Sequence, residues 1–225
     1  MSLSLKLKKF LLKQGACEVG YADITNFTPK PGLTSGVVFY ITYPKEIIRN
    51  MENAPTQEYV DELVSLNSRL DALGMKCEEF LIDEGYDAYA QTKKRLGTDF
   101  GEFNSFELPH KTIATRAGLG WIGRSALFVT PEYGSAVALS AILTDMPLDF
   151  ATPITDSQCD DCTNCQDACP VDAINPQKWN DRLNRKDIID IEVCREYIIS
   201  QYEAGLGCTK CMSECKLTQE YLKRD

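Results

Sequence analysis

Two rhythms of apolar residues run along this chain, and their interleaving predicts an α+β protein. Leu3–Lys13 alternates lysines with leucines and predicts a short opening helix. Ala16–Ile24 reads as a strand. Gly36–Tyr43 (GVVFYITY) is rich in β-branched and aromatic residues and predicts a buried strand. Pro55 then opens a long helical segment from Gln57 to about Asp83. There Val60, Leu63, Leu66, Leu70 and Leu73 recur at three- and four-residue spacing and build one buried face, with Gly74 as a point of interruption. Tyr86–Ala90 predicts a further strand. Leu96–Leu108, with Gly97 and Gly101, predicts a loop. Pro109–Ala117 reads as a helix and Gly118–Gly123 as a glycine-rich turn. Ala126–Thr130 and Ser135–Leu143 read as two strands joined at Pro131–Gly134. Asp145–Thr155, with Pro147 and Pro153, is the expected boundary between a first domain, 1–150, and a second, 151–225. No long-period repeat or low-complexity tract is visible.

Composition narrows the function. The 225 residues are 44% hydrophobic, enough to bury a core. Acidic residues outnumber basic ones 33 to 24, for a formal charge of -9, which disfavours a chain built mainly to grip nucleic acid. A single histidine, His110, excludes a metal held by several imidazoles and any histidine-pair catalysis. No apolar run approaches the ~18–20 residues that cross a bilayer. Met1–Gln14 lacks the apolar centre and small-residue cleavage site of a signal peptide. A cytoplasmic protein with no membrane partner is therefore expected.

Ten cysteines change the picture most, because eight of them follow residue 158. Disulfides need no such crowding, whereas a metal centre does. Cys159-x2-Cys162-x2-Cys165-x3-Cys169-Pro170 matches the bacterial iron–sulfur run in every spacing. Cysteines three apart on a tight turn aim their thiolates at one centre. The fourth lies too far along the chain to close the same cube and reaches a second cluster. Zinc favours two separated pairs instead. The second set, Cys194 then Cys208-x2-Cys211-x3-Cys215, departs from this run: Cys194 lies upstream on a predicted helix, Ile188–Ser200, and Lys216 follows where a proline often stands. The count still closes. Cys159, Cys162, Cys165 and Cys215 make one four-thiolate site, and Cys169, Cys194, Cys208 and Cys211 make the other. The plainer alternative is one cluster plus four spare thiols. Cys17 and Cys77 read as small buried apolar residues.

Ala117–Ser135 (AGLGWIGRSALFVTPEYGS), followed by Ile142–Leu148 (ILTDMPL), resembles the core signature of the epoxyqueuosine reductase family. That signature runs AGLGWIGKN, a short strand, a Gly-Ser turn and LTDLPL. Gly15–Ile24 (GACEVGYADI) resembles the family's first strand, and the cysteine order is similar. The resemblance implies a nitroreductase-like α/β domain that binds cobalamin, followed by a ferredoxin-like domain with two 4Fe–4S clusters. Reductive dehalogenases share that arrangement. It also implies electron flow through the clusters to the corrinoid, and a low-potential donor such as ferredoxin or flavodoxin.

The family's proton-donating aspartate precedes the AGLGW turn, and Asn104 falls at about that position here. An amide has no carboxyl proton to give, which makes Glu102, Glu107 and Asp99 the substitute candidates. The chain also ends ten residues after Cys215, where the family's tRNA-acting enzymes usually continue into helical repeats. With the acidic charge, these departures argue against tRNA and leave a small or unknown substrate.

Gly118, Gly120, Trp121, Gly123 and Arg124 are the candidate cofactor-binding residues. Glycines let backbone approach a ligand, and Arg124, where the family has lysine, would pair with a phosphate. The alternative is a packing turn with Trp121 in the core. A flavin in the first domain is a further possibility. His110 and Lys111, at a helix start, read as surface residues first and as ligand-contact or proton-relay residues second. Asp160, Asp161, Asp167 and Asp172, beside the clusters, suit docking of a basic redox partner. A cobalamin-dependent reductase is the leading expectation, with a ferredoxin-like carrier or reductive activator as the alternative. About 150 residues before the cysteine runs are more than a bare carrier needs.

Overall fold

The computed structural model describes residues 1–52, 56–96, 108–201 and 207–224. Its elements in chain order are α1 (Leu3–Lys13), β1 (Glu18–Asp23), β2 (Ser35–Thr42), α2 (Lys45–Arg49), α3 (Gln57–Asp83), β3 (Ala88–Ala90), α4 (Lys93–Leu96) and α5 (His110–Arg116). There follow β4 (Trp121–Ile122), β5 (Phe128–Val129), β6 (Val137–Thr144), α6 (Asn164–Asp167), α7 (Arg185–Ile188), α8 (Ile191–Gln201), α9 (Lys210–Ser213) and α10 (Lys216–Lys223). The α+β class is as the apolar rhythms predict.

Four strands form one sheet in the order β1-β2-β6-β3. β1 runs antiparallel to β2, with Val19 opposite Phe39, and β3 antiparallel to β6, with Tyr89 opposite Leu143. β2 lies between two neighbours and is buried from Ser35 to Ile41, so its sequence is continuously apolar rather than alternating. A Cβ on Gly36 would lie 2.7 Å from Ile113 Cγ2, so glycine is what lets α5 sit close against the sheet.

α1 is capped by Ser2, whose hydroxyl accepts from the Leu5 N–H at 3.3 Å. It buries Leu7 and Leu11 and stacks Phe10 on Phe80 of α3 at 5.1 Å between ring centres. α3 buries Leu66, Leu70, Leu73, Cys77 and Leu81, an unbroken three-and-four spacing. Each such leucine contributes about 1.5–3 kcal/mol over an exposed one. Val60 and Leu63 are half-buried, and Gly74 does not interrupt the helix.

The two strands expected on either side of Pro131–Gly134 belong to different sheets. β5 pairs with β4, Trp121 opposite Val129 and Ile122 opposite Phe128, whereas β6 joins the large sheet. A tight turn causes this: the Ala126 N–H donates to Gly123 O at 2.9 Å, the Gly123 N–H to Leu127 O at 2.8 Å, and Ala126 adopts φ 57°. Thr130 and Gly134 then exchange backbone hydrogen bonds of 2.9 and 3.0 Å, with Gly134 at φ 59°, and redirect the chain.

The described chain divides into two compact units, discontinuous in sequence. The first comprises Met1–Ile41, Ser65–Leu119 and Ala138–Ile154; the second comprises Thr42–Val64, Gly120–Val137 and Thr155–Asp225. The last crossing between the units falls at Ile154/Thr155, and the second unit also takes two upstream segments. The physical reason is core size. The cysteine-bearing segment buries few large apolar side chains, among them Trp179, Ile188 and Met212. The upstream segments add Tyr43, Met51, Tyr59, Trp121 and Phe128.

Candidate metal centre

All eight clustered cysteines lie in the second unit, each half-buried. α6, which carries Cys165, packs against α9, which carries Cys211, and so brings the first cysteine run to the last. Together they open on a cavity of ≈ 420 Å³ lined by Cys159, Cys162, Cys165, Cys211 and Cys215. Burial pushes the Cys165 thiol up to about 12, and the neighbouring Cys159, Cys215 and Cys162 add to the effect. Burial also raises Cys194, reinforced by Cys169 and Cys208 and opposed by the Arg185 cation. Cys211 is raised by burial and then by Cys165, Cys194, Cys208 and Cys169. Cys165 thus feels Cys159, Cys162 and Cys215, Cys194 feels Cys169 and Cys208, and Cys211 feels thiols of both runs. Among the described residues no three metal-binding side chains converge closely enough to hold a single ion.

The backbone around these thiols is unusual. Asp160 and Thr209, which follow Cys159 and Cys208, have φ 48° and 53°, and Asp172 has φ 49°. Left-handed non-glycine residues are uncommon and concentrate at functional sites. Here they turn the chain tightly beside the first thiol of each run. The Cys162 N–H donates to Cys159 O at 3.1 Å, and the Ala173 N–H donates to Cys169 Sγ at 3.3 Å.

Three residues of the glycine-rich segment, Trp121, Gly123 and Arg124, line the same cavity. The Trp121 indole Nε1–H donates to Cys159 Sγ at 3.4 Å. Arg124 is only 7% exposed. Its guanidinium donates to Pro176 O at 2.8 Å, Asp160 O at 3.2 Å and Gln166 Oε1 at 3.4 Å, and so staples the first cysteine run to the segment after it. Among the described residues its Nε has no hydrogen-bond partner, and none of its partners is a carboxylate. These partners are protein carbonyls and an amide. What the glycines approach is likewise protein. A Cβ on Gly118 would lie 2.9 Å from Thr152 O, one on Gly120 would collide with Val129 O, and one on Gly123 would lie 2.8 Å from Val129 Cγ2 and 3.5 Å from Cys159 Sγ. No sequence signal announces the contact from Trp121 to Cys159, which joins residues 38 positions apart.

Asn104, Glu102, Glu107 and Asp99 lie outside the described residues. His110 is not at the surface: it is 8% exposed, and its Nδ1 is 3.2 Å from Leu139 O, an arrangement in which the ring N–H donates. Burial pushes its pKa down to about 4. Lys111 is half-buried. Cys77 is fully buried and its thiol is raised by burial, whereas Cys17 is only half-buried at the start of the β1–β2 ladder. Asp160, Asp161, Asp167 and Asp172 are all exposed. Among the described residues no helix is long and apolar enough to cross a membrane.

No family model matches the chain. Its curated relatives are named epoxyqueuosine reductase, at 27–36% identity among those most similar. The Bacillus subtilis protein of that name is 31% identical over 160 residues, which cover 68% of this chain and 37% of the relative. Alignments with the first two such relatives span 37% and 48% of their lengths, so this chain matches less than half of each. An epoxyqueuosine reductase solved with an epoxyqueuosine-modified stem loop of tRNA-Tyr has a TM-score of 0.61 at 21% identity, covering 99% of this chain and 69% of the other. A reductive dehalogenase whose structure suggests a mechanism for B12-dependent dehalogenation has a TM-score of 0.69 at 19% identity, covering 93% and 30%. By sequence the chain is a homologue of the epoxyqueuosine reductases, shorter than those relatives, and its fold is shared with reductive dehalogenases as well.

Proposed function

We propose that the chain is an iron–sulfur oxidoreductase, a nitroreductase-like α/β domain joined to a ferredoxin-like domain with two 4Fe–4S clusters. The observation that carries this reading is the gathering of eight thiols in one compact unit, five of them around one cavity. A ring of thiols about a cavity suits a multi-atom cluster better than a zinc ion, which needs four ligands at about 2.0–2.3 Å. Cys159, Cys162, Cys165 and Cys215 would hold one cluster, and Cys169, Cys194, Cys208 and Cys211 the other. When bound, each cluster supplies one-electron transfer. The chain's own contribution is to hold the thiols half-buried, to limit water at the site and to donate N–H groups to sulfur from Trp121 and Ala173. The exposed aspartates beside the cysteines suit a donor with a basic docking face, and a low-potential protein of the ferredoxin or flavodoxin class would supply the electrons.

A corrinoid as the electron acceptor is supported by a structural neighbour, a reductive dehalogenase whose structure suggests a mechanism for B12-dependent dehalogenation. The turn residues do not fit that role: Gly120 is committed to packing on Val129, and Arg124 is bonded to protein. We infer a substrate other than tRNA. Epoxyqueuosine reduction in tRNA is disfavoured by Asn104 at the donor position and by the charge of -9. Iron and sulfide analysis of anaerobically prepared protein tests the central reading. About eight irons per chain are expected for two four-iron clusters. A reproducible value near half of that would remove the second cluster.

A further inference from the structure

We propose that Trp121 and Arg124 raise the reduction potential of the cluster held by Cys159, Cys162, Cys165 and Cys215; this rests on the two-cluster reading above. Three observations in the second unit meet at this point. The Trp121 indole N–H donates directly to Cys159 Sγ at 3.4 Å. Trp121 is 3% exposed and its strand β4 is paired to β5, so this donor is fixed in place. Arg124 brings a buried cation to the wall of the same cavity, and among the described residues its Nε lacks a partner and no carboxylate accepts from it. A buried charge without an opposite charge is costly, and thiolates around a cluster are an anionic partner within the same cavity.

The segment between them is shaped for close approach. Gly123 lies so near that a Cβ there would sit 3.5 Å from Cys159 Sγ. Potentials of iron–sulfur clusters depend on net charge and on hydrogen bonds to sulfur. One-electron reduction adds one negative charge, taken from the donor protein, to the cluster and its thiolates. An N–H donor and a fixed cation favour that more negative state over the oxidised one. Trp121 and Arg124 therefore act through Cys159 and the local field, as positioning and tuning groups rather than catalytic ones.

The test is a redox titration followed by electron paramagnetic resonance on the anaerobic, cluster-loaded full chain. The signal of this cluster is identified by its loss in Cys215→Ala. Trp121→Phe keeps the ring and removes the donor. It should lower this cluster's reduction equilibrium about tenfold, about 59 mV for one electron, and leave the other cluster's potential unchanged. Arg124→Met should also lower it, and Arg124→Lys, which keeps the charge, should lower it less. Unchanged potentials in fully loaded Trp121→Phe would overturn the proposal. So would equal shifts in both clusters, which would mark a general structural effect, or selective loss of this cluster's iron in Trp121→Phe, which would make Trp121 an assembly residue. Absence of cluster iron from the unmodified chain would instead sink the two-cluster reading itself.

Discussion

Acid should destabilise the first unit through one residue, His110. Its pKa is lowered from 6.5 to about 4, first by burial and further by the Lys93 cation, against backbone hydrogen bonds at Leu139 and Gln91 that favour the protonated ring. Between these two values the unfolded chain binds a proton that the folded chain refuses. The stability from keeping His110 neutral is thus fully present above 6.5, declines as pH falls, and is spent near 4. The gap corresponds to about 3 kcal/mol in all, of which about 2 kcal/mol is lost by about pH 5. At 8% exposure the ring is shielded from solvent. His110 is the single histidine of the chain, so its ring protons give the only histidine titration in an NMR spectrum, and its midpoint should fall well below 6. Denaturant unfolding of the unmodified chain and of His110→Gln at about pH 7 and about pH 5 gives the energetic half. The unmodified chain should lose about 2 kcal/mol more than the variant over that interval. A ring midpoint at or above 6.5, or the same loss in both proteins, would refute the reasoning.

Two further outcomes are expected. Glu78 is buried, and its carboxylate accepts from Arg95 at 2.7 and 3.0 Å and from the Ala90 N–H at 3.0 Å. Glu78→Ala should therefore cost about 3 kcal/mol in denaturant unfolding, and Glu78→Gln less; a cost under about 1 kcal/mol would show that Arg95 finds another partner. Cys215→Ala should remove about half the iron and spare the signal of the cluster held by Cys194 and Cys208, despite Cys215 lying next to Cys211 in the run. If the Cys208 cluster is the one lost, the crossed ligation is wrong.

Much of the fold was legible along the chain. The limits of α1 and α3 follow from apolar spacing because a helix that buries one face must repeat every three or four residues, and Leu66, Leu70, Leu73, Cys77 and Leu81 do so. β2 was legible because a central strand buries both faces. The strand pairing was not. Ala126–Thr130 and Ser135–Leu143 carry strand-like residues, but nothing in them encodes that β5 turns back on β4 while β6 enters another sheet. That depends on one left-handed residue, Ala126, and on the Gly134 turn. Nor was the burial of His110 visible, since it depends on Leu139 of β6, 29 residues away.

For the site, the sequence alone supplied the cysteine spacing on which the proposed chemistry rests. Cysteine spacing is local, so the two runs and the count of eight thiols are read from the chain without any tertiary knowledge. Tertiary structure decided what surrounds them. The meeting of Cys211 and Cys215 with Cys159, Cys162 and Cys165 around one cavity, the indole N–H on Cys159, and the Arg124 staple across Asp160, Gln166 and Pro176 all join residues far apart in the chain. Hydrogen bonds and buried charges act over a few ångströms of space, and separation along the chain carries no record of which distant residues the fold will place within that reach.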